Sequence, residues 1–213
     1  FIIRWNDNIG DLKYSIALSG SHFKNKVLDW GGQITTDTQY STNLTTRIEK
    51  GKPFGYFYGY KTQGLYRSQA DIDYWNNYAR SKNHNIYHPN AQLGDPIYVD
   101  VNGDGTINDD DLTDIGNPFP KFTGSLNLSA EFRGFDLSLD FTGSFGAKVL
   151  NNSYNDFNND TNNMHTDWLN SWTPENSGAR LPRLAAGSIA MSRTIDLIAL
   201  NGDYVKLRSA ELG

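Results

Sequence analysis

The chain has 213 residues, a formal net charge of −5 and no cysteine. An acidic balance without any Lys/Arg run argues against nucleic acid as a partner, and the lack of cysteine removes both a disulfide framework and a cysteine zinc site. No apolar run approaches the roughly 20 residues of a membrane helix, and no signal peptide is present.

The chain opens at Phe1-Ile2-Ile3 without a methionine. Phe1, Ile3 and Trp5 alternate with Ile2 and Arg4, Asn6 to Asp11 reads as a turn, and Leu12, Tyr14, Ile16 and Leu18 then alternate with Lys13, Ser15, Ala17 and Ser19. Period-two alternation around a turn predicts a β-hairpin over residues 1–19. Thr42 to Ile48 is a weaker strand candidate. Phe54, Tyr56, Tyr58 and Tyr60 also recur with period two, which suits strand packing or an aromatic belt at a barrel rim better than a binding box. The best helix candidate is short, Gln69 to Arg80. His84 and His88 stand four residues apart in a polar segment just before Pro89, so they read as surface loop.

The stretch GDPIYVDVNGDGTINDDDL, Gly94 to Leu112, follows. With Asp100 at position 1 of a twelve-residue loop, Asn102, Asp104, Thr106, Asn108 and Asp111 fall at positions 3, 5, 7, 9 and 12, and Gly105 at 6. That is the oxygen-ligand spacing of an EF-hand-type calcium loop. Calcium is a hard cation that takes six to eight oxygens, the glycine permits the sharp bend, and the residue at position 7 offers its carbonyl. Ile107 would anchor the loop in apolar packing. Position 12 is Asp where Glu is usual, and an Asx-rich turn without metal is the bland alternative. Asp95-Pro96-Ile97-Tyr98-Val99 enters as extended chain. The exit is at most one helical turn, capped by Asn108 with Asp109 and Asp110 in its first turn. A sensor needs two helices that swing apart, so this spacing predicts a calcium staple on a loop.

Next comes the clearest pattern in the chain. Phe122 to Phe132 alternates Phe, Gly, Leu, Leu, Ala and Phe against Thr, Ser, Asn, Ser and Glu. After Arg133-Gly134, Phe135 to Phe145 repeats it, with Phe135, Leu137, Leu139 and Phe141 opposite Asp136, Ser138, Asp140 and Thr142. This predicts a hairpin of two long strands. About 9–11 tilted residues span a bilayer, whereas a typical soluble strand has about five or six. A soluble sandwich alternates as well, but the length favours a transmembrane barrel. An Asn-rich tract, Asn151 to Asn163, reads as solvated loop. Asp203 to Leu212 is one more strand, whose alternation fades at Ser209. The chain stops inside that patterned segment, so both ends read as cuts in a longer protein.

The connections are lopsided: tight turns at Asn6–Asp11 and Arg133-Gly134, long excursions near 49–120 and 147–202. Short turns on one side and long loops on the other are the habit of outer-membrane barrels. The fold class expected is all-β, a fragment of a transmembrane antiparallel barrel with long loops. Paired acids such as Asp109 and Asp110, or Asp156 and Asp160, have no spacing that establishes glycosidase geometry, so no catalytic residue is assigned.

Several of these segments together resemble the C-terminal part of the barrel in SusC/RagA-type TonB-dependent outer-membrane transporters. They are GKPFGYFYGYKTQGLY (Gly51 to Tyr66), GDPIYVDVNGDGTINDDDLTDIGNPFPKF (Gly94 to Phe122), the hairpin through Gly146, WTPENSGARLPRL (Trp172 to Leu184) and GDYVKLRSAELG (Gly202 to Gly213). The resemblance implies that 1–213 is part of a single barrel, with the family's plug domain lying outside this stretch, extracellular long loops, an outer-membrane location and uptake driven through the TonB complex. It also implies a SusD-like surface lipoprotein as lid and glycan or peptide as cargo, with the bilayer itself as a partner. Arg4, Lys13, Asp136, Asp140, Lys206 and Arg208 would face the lumen. Tyr74, Trp75, Tyr78 and Tyr87 in the first loop, with Trp168 and Trp172 in the second, are candidate cargo contacts, Trp75, Tyr78, Trp168 and Trp172 foremost. Loop packing is the more ordinary role for such aromatics. The runner-up is a secreted, soluble, calcium-binding β-module, since DVNGDGTINDDDL is similar to a dockerin repeat. Dockerins pair two such loops with helices, and the sequence offers one loop.

Overall fold

The computed structural model describes residues 1–29, 31, 35–37, 46–151, 165–184 and 195–213. The strands, in chain order, are β1 (Ile2–Ile9), β2 (Leu12–His22), β3 (Thr35–Asp37), β4 (Thr46–Ile48), β5 (Tyr56–Gly59), β6 (Thr62–Leu65) and β7 (Pro96–Tyr98). They continue with β8 (Thr113–Gly116), β9 (Phe122–Phe132), β10 (Phe135–Phe145), β11 (Lys148–Leu150), β12 (Ala199–Asn201) and β13 (Tyr204–Leu212). One α-helix, α1 (Gln69–Ser81), is described. The chain divides into two units: residues 1–26, 117–149 and 201–213, and residues 27–116 and 150–200.

The first unit is a five-stranded antiparallel sheet in the order β1-β2-β9-β10-β13. Its register carries the alternation read from the sequence across every strand. Trp5, Ile16, Leu128, Leu139 and Ala210 form one row, and Ile3, Leu18, Leu126, Phe141 and Leu207 the next. The other face holds the rows Arg4-Ala17-Asn127-Asp140-Ser209 and Asn6-Ser15-Ser129-Ser138-Glu211. Arg4, Lys13, Asp136, Asp140 and Lys206 thus share the polar face. Nothing in this unit covers the apolar one: Leu137 keeps 40 % of its surface and Val205 65 %, and Leu126, Leu128 and Leu139 are only half-buried. The hydrophobic core clusters all lie in the second unit.

One detail of this sheet differs from the sequence reading. The first turn is Gly10-Asp11, not Asn6 to Asp11: β1 runs on to Ile9, pairing Asn6 with Ser15 and Asn8 with Lys13. The turn-forming habit of Asn yields to pairing with β2, and Gly10, at φ 60°, takes the first position of a two-residue loop, where a positive φ suits glycine. Arg133 and Gly134, both at positive φ, make the second turn as expected. The fading alternation of the last strand is a β-bulge. Asp140 pairs with Ser209 but Phe141 with Leu207, so Arg208 is an extra residue. Leu207 and Ala210 therefore stay on the apolar face although three positions apart.

The second unit is built from the two long excursions. Its four-stranded sheet runs β3-β4-β5-β8, and β6 pairs with β7. β4 covers only the end of the predicted Thr42–Ile48 strand; residues 42–45 lie outside the described residues, as do 152–163 of the Asn-rich tract with Asp156 and Asp160. α1 forms where predicted. Ser68 is its N-cap, and a capping box is closed by Asp71, whose carboxylate accepts the Ser68 amide at 2.9 Å. The Tyr56–Tyr60 periodicity is strand packing, not a rim belt: Tyr56 and Tyr60 are buried and Tyr58 half-buried, all within this unit. His84 is exposed as expected, but His88 is buried, its ring edge-on to Tyr98 at 5.0 Å.

Candidate functional site

The acidic loop hangs between β7 and β8, and the entering strand is extended as its proline demands. Pro96, Ile97 and Tyr98 are all buried. The Asp100 carboxylate then organises the turn. One oxygen accepts the amides of Gly103 at 2.6 Å and Asp104 at 3.2 Å, the other the amide of Gly105 at 2.7 Å. Asp104 accepts the Thr106 amide at 2.9 Å and the side-chain amides of Asn102 and Asn108 at 3.0 and 3.4 Å. Asp111 closes the loop, taking the Val101 amide at 2.8 Å and the Asn108 amide at 2.9 Å. Asn108 caps a 3-10 turn, Asp109–Asp111, by accepting the Asp110 amide at 2.7 Å. The expected exit turn is therefore present, and no second EF-hand helix follows it.

Gly105 has φ 92°, and a Cβ there would stand 2.5 Å from the Cβ of Lys82, so the loop lies directly on the end of α1. Ile107 packs against two core clusters and donates its amide to Tyr87 at 2.8 Å. The Tyr78 hydroxyl donates to Asp100 at 3.3 Å, and the Tyr87 hydroxyl donates to the Tyr98 carbonyl at 2.8 Å while accepting the Asp100 amide at 3.2 Å.

The charge of the loop is met by amide donors rather than by ion pairs. Asp100, Asp104 and Asp111 make no ion pair among the described residues. Asp111 is fully buried. Burial pushes its pKa up, against the pull of the Asn108, Val101 and Asn102 amides. Asp104 is held below the usual carboxylate range by the Thr106 amide and then by Asn102. Burial, then the charge of Asp100, raises the Tyr78 phenol. The donor set is the hard, all-oxygen set that calcium takes. Its carboxylates are nevertheless tied to loop amides, and no three His, Asp or Glu side chains among the described residues gather tightly enough to hold a metal as they stand.

The aromatic candidates are packed. Trp75 lies over Tyr87 with centroids 4.7 Å apart, and Tyr78 meets both rings edge-on. Trp168 and Trp172 are buried, in two different core clusters. Of this group Tyr74 is the exposed one, at 65 %.

Sequence reasoning missed what binds the two excursions to each other. Arg183 meets the buried Asp95 at 2.6 Å. Arg67 donates to the carbonyls of Ser177 and Ala179. A Cβ on Gly94 would stand 2.3 Å from the Trp172 ring. Gly94-Asp95-Pro96 and the Arg-bearing WTPENSGARLPRL segment are visible in the sequence as motifs, but only folding shows that they answer one another.

A sheet with one uncovered apolar face and one polar face, tight turns at one end and folded excursions leaving from the other, has the form of a piece of a transmembrane β-barrel wall. The comparisons agree. No family model matches the chain. It is 27 % identical over 208 residues to TonB-dependent receptor P3 of Formosa agariphila, covering 95 % of this chain and 20 % of that protein. It is 28 % identical over 207 residues to TonB-dependent receptor P26 of the same organism, covering 94 % and 20 %. Among solved structures, the RagAB peptide importer in its closed-closed state aligns with a TM-score of 0.65 at 18 % identity, over 99 % of this chain and 22 % of that one. A second structure, of the RagAB peptide transporter, gives 0.66 at 17 %, over 99 % and 21 %. The chain is homologous to TonB-dependent receptors along nearly its whole length and has the fold of part of their barrel. It spans about a fifth of the length of the relatives it matches.

Proposed function

We propose that the chain supplies five wall strands and a folded pair of surface loops to an outer-membrane, TonB-dependent importer of peptides or glycans. The observation that carries this reading is the uncovered apolar face, continuous across five strands, opposite a face of Ser, Thr, Asn and acidic side chains. Hydrocarbon suits the first face and a wet lumen the second. A soluble module would bury the first beneath a second sheet, which weighs against the secreted calcium-module alternative. The solved neighbours are described as peptide importers, so peptide is the better supported cargo class, and a SusD-like lipoprotein is the partner to seek at the loops. In this reading the protein moves its cargo and performs no reaction on it.

Calcium belongs to the same proposal. Asp100, Asn102, Asp104, Asn108 and Asp111, with the Thr106 carbonyl, would hold the ion, which would supply the positive charge that Asp100, Asp104 and Asp111 lack. A loop so fixed presents a constant surface to a partner and lowers the ordering cost of binding it.

The test is partitioning of the full-length protein. It should stay in outer membranes through high-salt and carbonate washing, and release into the supernatant would sink the importer reading.

A further inference from the structure

The second excursion carries a pocket of about 340 Å³, lined by Asp167, Asn170, Asn176, Ala179, Arg180 and Leu181. Its walls are two short pieces of chain, the 3-10 turn Thr166–Asn170 and the segment from Asn176 to Leu181. Contacts around the pocket hold them. Ser171 and Leu181 form a parallel bridge, and the Trp172 amide donates to the Leu181 carbonyl at 3.0 Å. Arg67 donates to the carbonyls of Ser177 and Ala179, and the Asn176 amide donates to the Thr173 hydroxyl at 3.1 Å. Ala179 and Leu181 are buried and form the apolar part of the lining.

This framework leaves much of the polar lining unused. Among the described residues the Arg180 guanidinium makes neither an ion pair nor a hydrogen bond, and the Asn170 side-chain amide makes no hydrogen bond. Asn176 donates its side-chain amide to the carbonyls of Asn170 and Ser171, at 3.5 and 3.3 Å, which leaves its Oδ1 as an acceptor. Asp167, 3.4 Å from Nδ1 of His165, adds a carboxylate. The pocket thus offers two donors for a negative group, Arg180 and Asn170, beside two acceptors for an N–H, Asp167 and Asn176. A guanidinium suits a carboxylate because its parallel N–H donors meet both oxygens.

We infer that this pocket takes an α-carboxylate with an N–H on the same residue, the group that the C-terminal end of a peptide presents. The inference rests on the importer reading and names the part of the cargo that is gripped. The carboxylate would meet Arg180 and Asn170, and the backbone N–H of the same residue would meet Asp167 or the Asn176 Oδ1. An Asp or Glu side chain carries its carboxylate further from a backbone N–H and matches the lining less well. At about 340 Å³ the pocket is at the small end of ligand sites, which run from about 300 to 1,000 Å³, so it suits the end of a chain and not its length. Every peptide has such an end, so a contact with it leaves the sequence of the cargo free.

Equilibrium binding to the full-length protein in carbonate-washed outer membranes tests this, with membranes lacking the protein as background. The probes are an N-terminally labelled random peptide mixture with free C-termini and the same mixture C-terminally amidated. The free-ended mixture should bind about tenfold more tightly, the scale of one hydrogen bond to a charged group. Arg180→Gln should weaken it to the level of the amidated mixture and leave the latter unchanged, and Asn170→Ala should act in the same direction by a smaller factor. The amidation comparison needs no variant, so it stands whatever the substitutions do to folding. Equal binding of the two mixtures to the unsubstituted protein, or an Arg180→Gln protein that still prefers the free-ended mixture, would overturn the assignment. Free amino acids that displace the labelled mixture at equal concentration would overturn the peptide end in favour of single amino acids. Loss of the protein from the membranes during washing would be the failure of the importer reading instead, seen before any peptide is added.

Discussion

The guanidinium of Arg183 lies 2.6 Å from the carboxylate of Asp95, joining two motifs 88 residues apart. Asp95 is 5 % exposed and also accepts the Gln92 amide at 2.9 Å. Around it, Gly94 packs under Trp172, and the Gly94 carbonyl accepts the Arg183 amide at 2.9 Å. Removing one partner of a buried pair strands the other charge and costs about 3–5 kcal/mol. Arg183→Ala should therefore loosen both excursions together, read as faster hydrogen exchange near Tyr66 and Trp172. An unchanged exchange pattern would show that the pair does not tie the loops.

Asp100 links the acidic loop to α1 through Tyr78 and to β7 through Tyr87. If calcium fills the loop, the ion should slow proteolysis between Ala79 and Leu112 in the full-length protein, and a chelator should restore cleavage. Asp100→Ala and Asp104→Ala should abolish that difference. Equal protease sensitivity with and without chelator in the unsubstituted protein would remove calcium from the account.

Acid should act on this loop in opposite senses depending on the metal. Asp111 has a raised folded pKa, so the folded state binds the proton more tightly than the unfolded chain. Its contribution to stability is fully present below the unfolded value and is lost as pH rises through the folded one. In chelator, lowering pH towards the unfolded value of about 3.9 should thus protect the loop. Calcium requires the ionised carboxylate, so with the ion present the same change should weaken protection. Asp104, with its lowered pKa, behaves conversely: its contribution is present above the unfolded value of about 3.9 and disappears only as pH falls through the folded one. Protease resistance measured from pH 7 to below about 3.9 with an acid-active protease, with and without calcium, checks both signs.

How much of this was legible depended on the range of the interaction. The strands of the first unit follow from local alternation, because a period of two fixes which side chains share a face whatever lies beyond. Even the bulge at Arg208 left a local trace in the broken alternation at Ser209. The acidic loop was legible because the side chains that hold its turn sit within one short segment. His88 was misread because burial is set by Tyr98, ten residues on, and the first turn because Asn6 and Asn8 gain more from pairing with β2 than from turning. The Asp95–Arg183 tie and the Trp172–Gly94 contact join segments far apart in the chain, and one sequence without its fold cannot pair them.

The two faces of β10 offer the sharpest mutational contrast. Leu139 sits in the row Trp5-Ile16-Leu128-Leu139-Ala210, and Ser138 beside it points to the row of Ser15, Ser129 and Glu211. An Arg on the lipid face near the bilayer midplane costs about 2–4 kcal/mol, whereas lumen-side changes are tolerated. Leu139→Arg in the full-length protein should sharply reduce assembled, heat-modifiable barrel in outer membranes. Ser138→Arg, one residue away on the same strand, should assemble nearly as well as the unsubstituted protein, helped by Glu211 in its own row. The two substitutions add the same charge and bulk at neighbouring positions, so only the identity of the facing medium separates them. Equal assembly yields would mean that the apolar face does not meet hydrocarbon.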